Sequence, residues 1–471
     1  MKVSGPITGG LRDHAFGAPP VDLGKYGYRE AEFFVEGDAT AYGPEPGSEL
    51  EIDGRWRLRP SRSAPFATRI LVLRPADAEG FSGNVWLSWL NVSSGFEIVD
   101  APPGNFRDGD ALVYVSAQAV GLDGFPGVEA NALRGWDPER YGSLHHPGDD
   151  FSYDIFTQVV RAVGPDRGSL DVDPLDGLDV AHVFATGASQ SAIRLTSYLD
   201  AVQPVEQLLD GVLLIVSFGR SARFEMPPAE NGDIESTFLR HTRIRDDVGI
   251  PVLHLTTETE AESLHPVRQP DTDTFRTWEI AGAAHASATG GIPSDVIEVF
   301  VRDGLQLPQW NEDASPGASG AQPNSLRWVE VSYAARRHLV AWVSDGTLPP
   351  SLPLIEFTGD PPRIRRDKDG NAVGGIRLPA LAVPVATYRG TLEGVAGQGS
   401  LFGSTEPFGP ERLRALYASR DAYLRAYDES VDDGVAAGYF LADDAADIKA
   451  AAVEQAEELF GSSTSEQTGE S

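Results

Sequence analysis

The chain has 471 residues, no cysteine, and 70 acidic against 38 basic residues, which give a formal net charge of −32 at pH 7. The lack of cysteine excludes disulfides, zinc–thiolate sites, iron–sulfur clusters and a thiol nucleophile, and the negative charge argues against nucleic acids and anionic membranes as partners, because both would be repelled. No apolar stretch of the sequence is long enough to span a bilayer, and the start lacks the apolar run of a signal peptide, so we expect a cytoplasmic protein.

The first 60 residues carry strand-like stretches separated by Pro/Gly turns. Ala31–Glu36 and Glu49–Asp53 are examples, and we expect residues 1–60 to form an N-terminal β portion that feeds the main sheet. Further apolar, β-branched runs predict strands at Thr68–Arg74, Gly83–Leu90, Ala111–Ala117, Val180–Ala185, Gly211–Phe218, Pro251–Leu255 and Phe275–Ile280.

Helical periodicity appears between and after these strands. Asp149–Val163 repeats helically behind an aspartate cap, a second helix is predicted after Ser189, and Arg327–Ser344 predicts a third. Strands that alternate with helices predict an α/β fold with a mostly parallel, doubly wound sheet, and we assign this core to residues 61–345.

The chain continues well beyond this core. Residues 346–408 are rich in Pro and Gly and predict an extended cover or lid, while Glu411–Tyr427 and Asp443–Phe460 look helical. We therefore expect residues 346–460 to form a cover with C-terminal helices, and the polar residues 461–471 to be disordered.

One stretch combines a buried strand, a sharp turn and a helix. Val180–Ala185 runs into Gly187-Ala-Ser-Gln-Ser191, where the small Gly187 and Ala188 allow a tight bend that lifts the Ser189 hydroxyl above the sheet. This pattern is typical of a nucleophile elbow, although Ser191 stands where the usual pattern has glycine. The alternative is that Ser189 only caps the helix that follows.

Partners for a nucleophilic serine follow downstream. A serine hydroxyl needs a histidine to take its proton and a carboxylate to orient that histidine, and behind an elbow the chain order is serine, acid, histidine. His285 follows a predicted strand after a small-residue loop, and Glu260 lies a few residues beyond the preceding one. We predict Ser189, Glu260 and His285 as the catalytic residues.

The choice of acid is open. We prefer Glu260 because the orienting acid usually lies in the loop after the strand. Glu258 is the main alternative, and Glu262 and Asp271 are further ones. The alternative for His285 is an ordinary loop histidine.

An oxyanion hole needs two backbone N–H donors. Gln190 supplies one by its position directly after the candidate nucleophile. The second is expected from the polar loop after the Gly83–Leu90 strand, at Asn91 or Val92, although Asn91 could be a plain turn residue.

Two other polar stretches are candidate metal sites. His145-His146-Pro-Gly-Asp149-Asp150 fits a loop before a helix better than a metal site. Asp367–Asn371 resembles the start of a calcium loop, but its twelfth position is Leu378 instead of an acid, so a turn is favoured. We expect no metal and no cofactor.

Seven segments of the sequence carry a resemblance to a known family, namely Trp89–Gly95, Val115–Gly121, Tyr153–Gln158, Gly187–Ser191, Thr257–Glu260, Trp278–His285 and Gly374–Tyr388. Through them the sequence resembles the bacterial "alpha/beta hydrolase domain" family of large serine hydrolases along nearly its whole length. The resemblance implies an alpha/beta-hydrolase fold with Ser189 and His285 as catalytic residues and the acid within Thr257–Glu260, where relatives tend to carry aspartate at the position of Glu260.

These observations predict a serine hydrolase that cleaves a small-molecule carboxylic ester or lactone through an acyl-enzyme. An acyltransferase that uses the same triad is one alternative. The other is a catalytically silent member of the fold that binds a small hydrophobic ligand. We expect residues 219–250 and 346–408 to build the pocket. Because the positions of their side chains are not predictable from the sequence, the acyl and alcohol groups of the substrate stay unpredicted. The sequence does not predict the oligomeric state either.

Overall fold

A computed structural model of the chain describes residues 1–225, 238–286, 294–305, 322–392 and 397–460. The strands of the described residues are β1 (Lys2–Ser4), β2 (Tyr28–Pro44), β3 (Leu58–Pro75), β4 (Asn84–Trp89), β5 (Ala111–Val115), β6 (His182–Ala188), β7 (Gly211–Ile215), β8 (Arg220–Ala222), β9 (Phe238–His241), β10 (Val252–Thr257), β11 (Phe275–Ile280), β12 (Phe357–Thr358), β13 (Arg363–Ile364), β14 (Ala386–Arg389) and β15 (Ser404–Pro407). Nine of them form a central sheet with the strand order β1-β2-β3-β5-β4-β6-β7-β10-β11.

The strand directions divide the sheet into two parts. β1, β2, β3 and β5 pair antiparallel, whereas all the pairs from β5 through β4 and β6 to β11 are parallel. The inner strands are apolar on both faces, as expected of parallel strands covered by helices on each side. The predicted mostly parallel, doubly wound α/β sheet is confirmed, with β1 and β2 as its N-terminal antiparallel extension.

Helices cover both faces of the sheet. The α-helices are Ala119–Asp123, Leu133–Trp136, Pro138–Tyr141, Ser152–Val163, Gln190–Ser197, Gln203–Glu206, Glu258–Leu264, Ser294–Asp303, Val329–Asp345, Pro379–Ala382, Pro410–Leu416, Arg420–Ala437 and Ala445–Phe460. Short 3-10 helices occupy Leu23–Tyr26, Ala78–Gly80, Pro103–Phe106, Glu129–Asn131, Asp149–Phe151, Arg167–Ser169, His265–Val267 and Gly397–Phe402, and a π-helical turn spans Tyr198–Val202. None of the helices described combines the length and apolarity needed to cross a bilayer.

Two hydrophobic clusters hold these layers together. On one face, Ser152–Val163 and the Gln190–Ser197 helix bury their apolar side chains against the sheet. On the other face, Val329–Asp345 packs together with apolar residues of the cover, among them Ile376 and Tyr388. The cover therefore shares part of the core of the sheet, and its C-terminal helices form a further apolar cluster around Tyr423.

Three expectations about local structure were wrong. Glu49–Asp53 is part of the turn between β2 and β3, because Gly47 and Gly54 take left-handed φ angles of +79° and +71° that interrupt a strand. Asp149 makes no cap bond to the helix after it and instead pairs with Arg194.

The third wrong expectation is the single helix at Glu411–Tyr427. The chain forms two helices there, and Ser419 starts the second one by accepting a hydrogen bond from the Ala422 backbone N–H at 3.1 Å. The predicted tail at 461–471 and part of the irregular stretch at 219–250 lie outside the described residues.

A buried ionic cluster ties β2 and β3 to the loop after β4. The fully buried Arg69 donates to Glu32 at 2.5 Å and to Glu97 at 2.8 Å, and also to the Phe16 carbonyl. Tyr141 donates to the same Glu32 carboxylate at 2.8 Å. Burial raises the pKa of Glu97, so the attraction of Arg69 opposes a substantial cost of desolvation.

A separate buried group lies on β10. His254 is 6% exposed, and its Nε2 atom has no hydrogen-bond partner among the described residues. Burial lowers its pKa from the usual 6.5 to about 4, so the folded protein keeps this ring neutral where an unfolded chain would already bind a proton.

We predict that Arg69→Met lowers the free energy of unfolding by about 3–5 kcal/mol, because the buried Glu97 loses its counter-ion and Glu32 keeps only Arg140. The control is Arg57→Met, since Arg57 forms an exposed pair with Glu45 at 3.6 Å. That change should cost less than about 1 kcal/mol. Urea unfolding of both variants measures the difference, and similar losses would contradict a special role of the cluster.

We also predict that His254 makes the protein less stable as the pH falls. Its folded pKa is depressed, so stability is present above pH 6.5 and is lost between pH 6.5 and 4, by up to about 3 kcal/mol. His254→Gln should remove this part of the pH dependence in denaturant titrations. An unchanged slope between these pH values would show that His254 does not titrate as described.

Candidate active site

The turn at Ser189 has the geometry of a nucleophile elbow. β6 ends at Ala188, the next helix begins at Gln190, and Ser189 between them has φ +58° and ψ −119°. A positive φ is costly for a residue with a Cβ and persists only where the surroundings enforce it. A serine that serves only as an N-cap would accept a hydrogen bond from an N–H of the first helical turn. The Ser189 side chain makes no such bond.

The neighbours of Ser189 explain how the chain makes this turn. A Cβ added to Gly187 would lie 2.9 Å from the Ser191 carbonyl carbon, so only glycine lets strand and helix approach this closely. Ser191, which stands where the usual pattern has glycine, accepts a bond from the Ala188 N–H at 3.0 Å and donates to the Ala188 carbonyl at 2.9 Å. Its side chain therefore closes the turn.

The structure brings His285 and Glu260 together. The Nδ1 atom of His285 lies 2.6 Å from Oε1 of Glu260. Both side chains are largely buried, with side-chain exposures of 10% for His285 and 0% for Glu260. A carboxylate only accepts, so Nδ1 carries the proton in this pair and Nε2 is left as an acceptor.

Glu260 is held by the start of a helix and not by a loop as expected. It is the third residue of Glu258–Leu264, and its Oε2 atom accepts from the Thr257 backbone N–H at 2.9 Å and the Thr257 hydroxyl at 2.7 Å. Thr256 adds a third bond at 3.1 Å. One carboxylate oxygen thus completes a capping box while the other faces His285.

Glu258, the main alternative acid, has different partners. Its Oε2 atom accepts from the Gly282 N–H at 2.8 Å, and its Oε1 atom accepts from the Gly390 N–H at 3.1 Å and from Arg366 at 2.8 Å. It therefore joins the end of β11 to the cover. The other two candidates also bond elsewhere, Glu262 to Arg363 at the surface and Asp271 to Ser351.

Ser189 and His285 line one cavity of about 640 Å³. The His285 ring also stacks on Phe218, with 5.3 Å between the ring centres. Of the two segments expected to build the pocket, residues 219–250 contribute Arg220 and Phe238, and the cover contributes Leu401 and Phe402. Most of the remaining wall comes from the sheet, from the loop after β4 and from Val329–Asp345. Sequence reasoning did not assign this helix to the pocket.

Both candidate oxyanion residues lie beside the elbow. The N–H groups of a helix's first turn have no partner within the helix, and Gln190 is the first residue of the helix after Ser189. Its N–H as an oxyanion donor stays a prediction. The Asn91 side chain donates to the Ala188 carbonyl at 3.0 Å and accepts from the Ser93 N–H at 2.8 Å. Asn91 is thus a turn residue and also fastens its loop to the elbow. Its backbone N–H as the second oxyanion donor stays a prediction.

A polar network that was not predicted from the sequence lies beside the elbow. The Gln190 side chain donates to Gln118 at 2.8 Å, and Gln118 donates to Asp149 at 2.9 Å. Arg194 donates to the same carboxylate at 2.8 Å. Burial alone would raise the pKa of Asp149, but the charge of Arg194 holds it below its usual value. Gln118 and Gln190 lie in two of the segments that carry the family resemblance. Their spacing in the sequence does not indicate that their side chains meet.

The two stretches weighed as metal sites have other roles. His146 bonds the Ala117 carbonyl at 3.0 Å and accepts from the Gly148 N–H at 3.2 Å. Asp367 accepts from the backbone N–H groups of Asp369 and Asn371, which makes the expected turn. Within the described parts of the chain, no group of three or more His, Asp or Glu side chains is placed to hold a metal ion.

Comparisons with known proteins indicate the family of the chain. No curated protein matches the chain. Similar solved structures include brefeldin A esterase, a bacterial homologue of human hormone-sensitive lipase, at 14% identity over 60% of this chain and 76% of that one, with a TM-score of 0.26. A thermostable esterase from Pseudomonas putida ECU1011 has 13% identity over 56% and 75%, with a TM-score of 0.26.

An esterase from Rhizomucor miehei has 12% identity over 50% of this chain and 77% of its own, again with a TM-score of 0.26. Likeness at this level carries no argument about what the chain does. The family model described as "Alpha/beta hydrolase domain", in contrast, matches residues 3–450. With almost the whole sequence covered by that model, the chain belongs to the alpha/beta hydrolase domain family.

Proposed function

We propose that the protein is a metal-independent serine hydrolase that cleaves small-molecule carboxylic esters or lactones through an acyl-enzyme. The observation that supports this most is the 2.6 Å pair of His285 and Glu260, whose histidine opens on the same cavity as Ser189. A neutral histidine with its Nδ1 proton held by a carboxylate has the tautomer that a general base requires.

In the first half of the reaction, the Ser189 hydroxyl oxygen attacks the ester carbonyl carbon while Nε2 of His285 takes the hydroxyl proton. The carbonyl oxygen becomes an oxyanion, which the Gln190 N–H and the loop at Asn91 stabilise by hydrogen bonds. The carbon–oxygen bond to the alcohol then breaks, and His285 returns the proton to the leaving alcohol. Glu260 stays ionised and stabilises the imidazolium in between.

In the second half, water replaces the alcohol. His285 takes a proton from water as the water oxygen attacks the acyl carbon, and the Ser189–acyl bond breaks when His285 returns that proton to the serine oxygen. The products are the free acid and the original enzyme, so the reaction needs no cofactor. A second alcohol in place of water would give acyl transfer with the same residues, while a silent binding protein would make no acyl-enzyme at all.

Labelling with a fluorophosphonate separates the hydrolase from a silent binding protein. We expect the wild type to be labelled once per chain and Ser189→Ala not at all, because the reagent needs an activated serine. Ser143→Ala serves as the control, since Ser143 is an exposed serine that does not line the cavity. An unlabelled wild type would end the hydrolase proposal. If labelling occurs but simple aryl esters show no water-dependent turnover, acyl transfer becomes the better account.

The acid is tested by two matched substitutions, Glu260→Gln and Glu258→Gln. Glu260→Gln should lower kcat by about 10³–10⁴-fold, because the amide no longer holds the correct tautomer of His285. Glu258→Gln should lower kcat far less, because the hydrogen bonds of Glu258 among the described residues do not involve His285, and should instead reduce thermal stability, since it weakens the bond from Arg366. A larger loss of kcat from Glu258→Gln would overturn the assignment.

A further inference from the structure

The cavity extends far from Ser189 along one face of the sheet. Its walls include Trp86 of β4, Leu112 of β5 and Leu213 of β7, which point to the same face because their strands are in register. Trp86 is level with Phe184, five residues before Ser189 on β6. At the rise of a β-strand, this separation is roughly 16 Å.

The long helix Val329–Asp345 forms the opposite wall of this part of the cavity. Val329, Ser332 and Arg336 line the cavity from positions three and four residues apart, which is one face of a helix. We call the part of the cavity bounded by Trp86, Leu112, Leu213, Ser332 and Arg336 the distal arm. Apart from Ser332 and the end at Arg336, these walls are apolar, so the distal arm suits an extended apolar group.

Arg336 supplies a cation at the end of the distal arm. Its guanidinium carbon lies 4.2 Å from the centre of the Trp86 ring, a cation–π contact that holds the group against the cavity wall. Among the described residues, its hydrogen-bond partner is Asp110 at 3.5 Å, the outer limit of such a bond. The Arg336 side chain is 13% exposed and lines the cavity, so N–H donors remain for a ligand.

The charges around Arg336 indicate what kind of group it would bind. Asp110 offsets the charge of Arg336, and Asp100 also lines the cavity. An anionic group at Arg336 would therefore meet a cation whose charge Asp110 already offsets, in a cavity that holds a further carboxylate. A neutral oxygen, such as a hydroxyl or a carbonyl, would accept a charge-assisted bond from Arg336 without this repulsion.

We propose that the substrate is a long ester whose apolar part occupies the distal arm and ends in a neutral hydroxyl or carbonyl oxygen bound by Arg336. This inference rests on the proposed esterase function and adds the substrate class. At about 1.3 Å per carbon, an extended alkyl chain of about 12 carbons spans the roughly 16 Å of β6 between the level of Ser189 and that of Trp86, against which Arg336 lies.

The test compares kcat/KM for p-nitrophenyl esters of graded acyl length, each unsubstituted, with a terminal hydroxyl and with a terminal carboxylate. The same terminal groups are placed on the alcohol side of acetate esters, in case the alcohol occupies the arm. In one of the two series we expect the hydroxyl-ended ester of about 12 carbons to exceed both other forms by roughly tenfold, the worth of a hydrogen bond to a charged group.

Arg336→Met should abolish that preference while retaining the contact with Trp86. Its matched control is Arg337→Met, because the neighbouring Arg337 bonds Asp108 and Asp443 and does not line the cavity. Ser332→Leu gives an independent readout, since a leucine in the distal arm should move the preferred chain to shorter lengths. Thermal unfolding confirms that each variant is folded.

The outcomes separate this inference from the function on which it rests. If even short esters show no turnover that depends on Ser189, the proposed esterase function fails. If short esters are cleaved but neither series shows a preference for the hydroxyl-ended long ester, the distal-arm inference alone is wrong. A preference that survives Arg336→Met, or a carboxylate-ended ester as the best substrate, would also overturn it.

Discussion

The backbone at Ser189 must turn from a strand into a helix within one residue, and the arrangement of the site depends on this turn. The positive φ of Ser189 is unfavourable for a serine, so the surrounding structure has to enforce it. β6 fixes one side through its pairing with β4 and β7, and the helix that follows is fixed by its buried face. Gly187 permits their close approach, and Ser191 bonds both polar backbone atoms of Ala188.

The second constraint is the shared role of Glu260. The same carboxylate caps the helix Glu258–Leu264 and accepts from His285. The bonds that start the helix therefore also orient the acid toward the histidine. Because β10 precedes this helix and β11 precedes His285, the parallel pairing of the two strands brings acid and histidine to one edge. Glu258 joins the same edge to the cover. Glu260 thus orients His285, whereas Glu258 anchors the cover to the sheet.

Much of this could be predicted from the sequence, because the relevant signals are local. The apolar run before Gly187 and the helical repeat after Ser189 identify the elbow, and the order of strands indicates the parallel sheet. The pairing of Glu260 rather than Glu258 with His285 could not be derived in the same way. The two side chains are two residues apart on one helix turn, and their direction depends on the bonds that Thr257 and Gly390 make.

Other features were missed because they depend on distant contacts. The ionic cluster at Arg69 joins residues that lie 28 and 37 positions apart, and the network of Gln118, Asp149 and Gln190 spans three elements. Arg336 lay in a correctly predicted helix, but the part of the sheet that its face covers was not predictable. At Glu49–Asp53 the residues favour a strand, but the glycines on either side have positive φ angles that interrupt the extended backbone and make a turn.

The central claim is that Ser189 forms a covalent bond with the acyl part of an ester. The most direct measurement is mass spectrometry of the protein after a brief reaction with an aryl ester and an acid quench, followed by peptide mapping. The account predicts one acyl group per chain on the peptide that contains Ser189, with release of the aryl alcohol in equal amount. Turnover of the ester without any adduct at Ser189, or an adduct on another residue, would contradict it.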